Sequence, residues 1–168
     1  MDVLFGEAGN DILSGGTDND ILSGGLGADI YVFAAGDGDD QIREAYASDG
    51  SVDVIQFDAS IARADVTTAV VGTSLVLTVG GSGQSITILD FADPETHIEE
   101  IQFSDGYIWT YDQGGLITET APNSAPIAAA DSGFQTDTDV ALDIATSAVL
   151  ANDTDPENAP LSAVSVAN

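Results

Sequence analysis

The sequence predicts an all-β chain in which a short parallel β-roll is capped by an antiparallel β domain. Two observations carry this. A nine-residue period runs without gaps through most of the first forty-odd residues. Beyond it, runs such as SLVLTV and SITILDF alternate apolar and polar residues around glycine-rich turns, the signature of half-buried strands joined as hairpins. The expected boundaries are residues 1–45 for the roll, 46–115 for the cap, 116–126 for a linker and 127–168 for a further β segment.

The period sets the roll. From Gly6 the chain divides into GEAGNDILS, GGTDNDILS and GGLGADIYV; DVLF before them fits the end of an earlier unit. After an inserted Phe33 and Ala34, AGDGDDQIR follows as another. Aspartate holds the sixth position throughout, at Asp2, Asp11, Asp20, Asp29 and Asp40. The eighth is apolar or aromatic: Leu4, Leu13, Leu22, Tyr31 and Ile42. Each unit reads as a six-residue turn, made accessible by glycine, followed by a three-residue strand. So short a strand is stable only when stacked on others. Two units then make one coil, eighth-position side chains meet inside, and successive coils lie about 4.8 Å apart.

Composition constrains what such an object does. The 168 residues carry a formal charge of −27 with only two basic side chains, Arg43 and Arg63, yet 43% of the residues are hydrophobic. A folded core and strong self-repulsion must coexist, so neutralising cations come from solution. No basic patch exists to replace the counterions of nucleic acid, and an anionic membrane surface is disfavoured. Without cysteine there is no disulfide, thiolate-zinc or thiol-nucleophile chemistry. No apolar run reaches membrane-span length, and MDVLFGEAGN lacks the basic start and apolar core of a signal peptide.

Units two apart place their aspartates on one edge, a strand spacing from each other. Two carboxylates so close repel unless a cation lies between them. Calcium accepts six to eight oxygens, carbonyls included, at about 2.3–2.6 Å, whereas magnesium demands stricter geometry and retains water. Aspartate and glycine suit metal-free turns as well, but turn chemistry alone does not require aspartate rather than asparagine five times running.

The stretch from Asp2 to Arg43 resembles the repeats-in-toxin family of hemolysin-type calcium-binding nonapeptides. The resemblance implies that each ion takes the carbonyls of positions two and four and the aspartate of one unit. It takes the carbonyls of positions one and three and the aspartate of the unit two later. One site would then use Glu7, Gly9, Asp11, Gly24, Leu26 and Asp29. A second would use Gly16, Asp18, Asp20, Ala35, Asp37 and Asp40, and a clipped third would join Asp2 to Gly15, Thr17 and Asp20. That makes about two complete Ca2+ sites and a partial third. Glu7 and Asp18 stand where glycine is expected, so backbone strain is expected there, and the Phe33–Ala34 insertion interrupts the second site.

Beyond the repeat, SVDVIQF is a candidate strand, and IEEIQF and YIWTY flank SDG as a hairpin with Tyr107, Trp109 and Tyr111 on one face. That aromatic face is expected to be core rather than a sugar-binding platform. DVIQF, SLVLTV, SITILDF and IEEIQFSDG resemble the domain that commonly follows such repeats in hemolysin-type proteins, which would cover the open end of the roll. LITETAPNSAP reads as a linker. APIAAADSGFQTDTDVALDI and AVLANDTDPENAPLSAVSV resemble the opening half of a bacterial cadherin-like, immunoglobulin-type repeat, hence a truncated β-sandwich. There Asp153, Asp155 and Glu157 are candidates for a further ion or for a plain Asp-Pro turn, the turn being favoured.

No catalytic constellation emerges. His97 is the single histidine and lacks the i, i+4 partner of a zinc protease helix; it is expected on a surface loop. GDGDD has no following GK[ST], and no serine occupies a nucleophile elbow. The expectation is a non-enzymatic, calcium-binding spacer from a large secreted bacterial adhesin-like protein, whose cell-surface or matrix target the residues do not identify. The alternative is the carboxy-side region of a secreted hydrolase or toxin with its catalytic domain upstream. The resemblance further implies one-step type I export in an unfolded state.

Overall fold

The computed structural model describes residues 1–44, 50–91, 93, 98–112, 114–130, 132, 150–156 and 160–162. They fall into two compact units, Met1–Pro122 and Asn123–Asn168. Among its described residues the first contains twelve strands and a 3₁₀ turn at Arg63–Asp65. In chain order these are β1 (Val3–Ala8), β2 (Ile12–Leu13), β3 (Ile21–Leu26), β4 (Ile30–Phe33), β5 (Asp39–Ile42) and β6 (Val54–Phe57). There follow β7 (Val66–Val71), β8 (Ser74–Val79), β9 (Ser85–Ile88), β10 (Glu100–Gln102), β11 (Ile108–Tyr111) and β12 (Ile117–Thr120).

Successive units alternate between two six-stranded sheets, ordered β1-β3-β5-β9-β8-β7 and β12-β11-β10-β6-β4-β2. The register matches the repeat: Leu4 faces Leu22, Leu22 faces Ile42, and Leu13 faces Tyr31. Eighth-position residues fill the space between the sheets, Leu22, Tyr31 and Ile42 being fully buried, while seventh-position Ile12 stays exposed on the outer face. Strand periodicity of two sends neighbouring side chains to opposite faces, which is why the ILS triplet buries only its middle member.

The parallel ladder continues past residue 45. β6 pairs parallel with β4, β10 with β6, and β9 with β5. Only then does pairing turn antiparallel, through β8 and β7 on one sheet and β11 and β12 on the other. The cap is therefore continuous with the roll, because Ile55, Ile88 and Ile101 fall in register with the interior column and are buried like it. β12 lies inside the stretch 116–126 expected as a linker. Its backbone is claimed by β11, with Tyr111 opposite Ile117, and Glu119 accepts the Trp109 indole N–H at 2.7 Å.

The Phe33–Ala34 insertion is absorbed by packing. Phe33 is buried, its ring 6.5 Å from that of Phe57, which stands 5.3 Å from Phe103, which meets Trp109 edge-on at 4.7 Å. Tyr107, Trp109 and Tyr111 all pack against the core, and the Arg63 guanidinium lies 3.7 Å from the Tyr107 ring centre. Arg63 also bridges Asp105 and Glu119.

In the second unit an antiparallel bridge joins Ile127 to Thr154, and Asp153 accepts the Ala129 N–H at 2.7 Å. That bond joins positions twenty-four residues apart in the chain. Glu157 lies outside the described residues, as do residues 133–149 of the expected sandwich and His97 of the expected surface loop.

Candidate metal centre

Stacked coils are joined through their aspartates. The main-chain N–H of Asp11 donates to Asp29 Oδ1 at 2.8 Å, and that of Asp29 to Asp53 Oδ1 at 2.9 Å. The N–H of Asp53 in turn donates to Glu99 Oε2 at 2.7 Å. On the opposite edge Asp2 donates to Asp20 Oδ1 at 2.5 Å and Asp20 to Asp40 Oδ1 at 2.8 Å. Two carboxylate ladders therefore flank the roll. Fifth-position asparagines reinforce them: Asn10 Oδ1 accepts the N–H of Ala28, and Asn19 Oδ1 that of Asp39, both at 3.1 Å.

The turns obey a backbone rule. Positive φ recurs at the second and fourth positions of every unit, at Glu7 and Gly9, Gly16 and Asp18, Gly25 and Gly27, and Gly36 and Gly38. Glu7 (φ 74°) and Asp18 (φ 90°) are thus non-glycine residues held in the left-handed region, which costs a side chain about 1–2 kcal/mol. First-position glycines have a different reason. A Cβ on Gly24 would stand 2.1 Å from Asp29 Oδ2, and one on Gly15 would stand 2.4 Å from Asp20 Oδ2. The sixth-position carboxylate folds back over the first glycine of its own unit.

That arrangement leaves anionic oxygen buried. Asp20, Asp29, Asp40 and Asp53 are at most 1% exposed. Among the described residues, Oδ2 of Asp11, Asp20, Asp40 and Asp53 is buried with no hydrogen-bond partner. Burial pushes the Asp40 carboxyl up to about 6, against the Asp20 N–H and with the help of nearby Asp20, Asp37 and Asp39. Burial pushes Asp53 up to about 7, against the Asp29 N–H and with Glu44, Glu99 and Asp29 adding repulsion. Buried anionic oxygen without a partner is costly, and a cation seated beside it would offset that cost.

The donor set at the first expected site fits calcium. A Cβ placed on Gly6 would be 2.7 Å from both Asp11 Oδ2 and the Gly24 carbonyl oxygen, so these two oxygens converge on one space that only glycine leaves open. The Glu7 carbonyl lies against Gly25 and the Gly9 carbonyl against Gly27, 2.2 and 2.1 Å from the Cβ positions there. Leu26 contributes differently, its carbonyl being engaged by the Gly9 N–H at 2.8 Å. Among the described residues no three carboxylate or imidazole side chains gather at one point. An ion here would rest on two carboxylates and main-chain carbonyls, all hard oxygens of the kind calcium prefers.

The second site is looser. Gly38 sits over the Asp18 carbonyl, 1.9 Å from its Cβ position, as Gly27 sits over Gly9. A Cβ added to Gly36, however, would meet nothing within 4 Å, whereas one on its counterpart Gly25 would stand against the Glu7 carbonyl. The close approach of Gly25 to Glu7 thus has no equivalent between Gly36 and Gly16, in the unit that follows the inserted residues. Local groups hold this turn instead: Asp37 Oδ2 accepts the Ala34 N–H at 2.7 Å, Ser60 accepts that of Ala35 at 2.8 Å, and Gln84 accepts that of Gly36 at 2.5 Å. At the clipped third site the structure brings Asp2 and Gly15 to Asp20, with Thr17 exposed. The Met1 ammonium lies 3.4 Å from Asp18 and 3.8 Å from Asp20.

Three acidic residues of this neighbourhood escape the period. Asp53 and Glu99 extend one ladder, and buried Glu44 holds the N–H groups of Gly24 and Gly25. A signal for Asp53 is present, since DVIQF carries the same aspartate-then-branched-apolar order as DILS.

Comparison with known families agrees with this geometry. Residues 1–31 match the RTX calcium-binding nonapeptide repeat, and residues 75–113 match the haemolysin-type calcium binding protein related domain. RTX nonapeptide repeats bind calcium, and neither match is to an enzyme family. No curated protein matches the chain.

Proposed function

We propose that this chain is a calcium-dependent structural module of a secreted protein, folded by ions seated between successive coils of the roll. The observation that carries the reading is the convergence of Asp11 Oδ2 and the Gly24 carbonyl on the space beside Gly6, with Asp29 of the next coil bound to the Asp11 main chain. The first site comprises Glu7, Gly9, Asp11, Gly24, Leu26 and Asp29. The second, from Gly16, Asp18, Asp20, Ala35, Asp37 and Asp40, is weaker because Gly36 stands clear of Gly16. The third, at Asp2, Gly15, Thr17 and Asp20, is partial.

The ion's contribution is to offset repulsion among buried carboxylates. Metal binding to the folded form alone appears as folding free energy. Extracellular calcium modules bind at roughly 10⁻⁴–10⁻³ M, so such sites are empty inside a cell and filled outside. A spacer role in a large adhesin-like protein is supported by the resemblance of residues 127–168 to a cadherin-like repeat, and export by a one-step system by the nonapeptides. Circular dichroism of the full chain tests the central claim. Strand signal is expected to rise on calcium addition after chelation; identical spectra in chelator and in millimolar calcium would overturn it.

A further inference from the structure

The third glycine turn, which supplies the Gly24 carbonyl to the first site, is held from behind by a side chain outside the repeat. Glu44 is only 2% exposed. Its Oε1 accepts the Gly24 N–H at 2.8 Å and its Oε2 the Gly25 N–H at 3.3 Å. The Tyr31 hydroxyl donates to Oε1 and itself accepts the Gly24 N–H at 2.6 Å.

The reason lies in the strand ladder. On one side Gly25 and Leu26 pair with Glu7 and Ala8 of β1. On the other side β3 pairs with β5 only at Ile21 and Leu22, because β5 ends at Ile42. The Gly24 and Gly25 N–H groups therefore have no strand partner from β5. Glu44, two residues beyond the end of β5, fills that role with a carboxylate.

We propose that Glu44, braced by Tyr31, is a positioning residue for the first calcium site, fixing the peptide of Gly24 so that its carbonyl oxygen meets Asp11 Oδ2 beside Gly6. The inference rests on the calcium reading of that site. Gly24 is gripped through its N–H on one face while its carbonyl faces the coil before, so loss of the grip frees the turn to rotate. Groups that orient a metal's direct ligands typically change affinity ten- to a hundredfold when removed.

Two substitutions separate positioning from charge. Glu44→Gln keeps the reach and one acceptor oxygen but loses the charge. Glu44→Asp keeps the charge but withdraws the oxygens by one methylene. Calcium titration calorimetry on the full chain, with melting in chelator and in calcium, gives the readout. Positioning predicts that Glu44→Asp weakens the first site roughly tenfold or more, that Glu44→Gln lies nearer the parent, and that the calcium-induced rise in Tm shrinks accordingly. Parent-like affinity in Glu44→Asp with a greater loss in Glu44→Gln would show that only charge matters and would overturn the proposal. So would an equal fall in Tm for both variants in chelator and in calcium with affinity unchanged. Asp29→Ala runs alongside: if the parent itself takes up no calcium, the site reading fails, whereas parent binding sensitive to Asp29 but indifferent to Glu44 defeats the positioning role alone.

Discussion

The backbone N–H of Asp11 is bound by the carboxylate of Asp29, eighteen residues further along, at 2.8 Å. One oxygen of Asp29 thus ties two coils together irrespective of any ion, while its other oxygen lies over Gly24. Cohesion between coils and the proposed affinity for a cation would then be separable functions of a single side chain.

Asp29→Asn exploits that separation. An amide oxygen still accepts the Asp11 N–H, so stability in chelator should stay within about 1 kcal/mol of the parent or rise as repulsion falls. Calcium binding at the first site should be lost. Calorimetric titration beside thermal melting in chelator checks both halves; undiminished uptake would refute the ligand assignment.

Gly24→Ala should destabilise the roll by about 1–3 kcal/mol, because its new methyl collides with Asp29 Oδ2 in a space already filled. Gly114→Ala is the contrasting variant. Its nearest neighbour is an Asp112 side-chain oxygen at 3.2 Å in an exposed loop, so the change should stay within about 0.5 kcal/mol. Urea unfolding midpoints of the two variants should differ in that order.

Glu7→Gly should stabilise the fold by about 1 kcal/mol. Glu7 holds φ at 74°, a conformation that glycine adopts without the steric cost of Cβ, and relief of strain outweighs the added freedom of the unfolded chain. A higher Tm in chelator and in calcium alike is expected, because strain is a property of the backbone and not of the ion.

The pH dependence should reverse sign with calcium. Asp40 and Asp53 titrate near 6 and near 7 in the fold, against an ordinary value of 3.8. A carboxyl raised on folding favours the folded state fully below its unfolded pKa, and that contribution is lost as pH rises through the folded one. Without metal, stability should therefore fall between about pH 4 and 7. With saturating calcium, which needs the charged carboxylates, the same rise in pH should stabilise the chain. Melting at pH 5 and pH 8 with and without chelator gives the four values that decide it.

The roll's first two coils were legible because position and environment coincide there. Every ninth-residue aspartate and every eighth-position apolar side chain falls in the same place in space, so Leu22 and Asp20 announce their burial by spacing alone. Legibility fails where spacing stops being constant. Asp53 follows Asp29 by twenty-four residues and Glu99 follows Asp53 by forty-six, yet both continue the ladder, because strand register depends on where a segment pairs and not on the chain length between pairs. The parallel placement of β6, β9 and β10 was hidden for the same reason. VIQF and SITI read as strands from alternation, but alternation carries no direction. Glu44 was invisible for another: a lone glutamate beyond a repeat looks solvated until its amide partners are known.

The carboxylate series also has a polarity. Asp2, Asp11, Asp20, Asp29 and Asp53 each offer a main-chain N–H, and the acceptor always comes from further along the chain, at Asp20, Asp29, Asp40, Asp53 and Glu99 respectively. Each layer is thus latched by a successor. Trimming the molecule from its carboxy side would release these latches in sequence, beginning with Glu99, whereas trimming from its amino side would leave every surviving one closed.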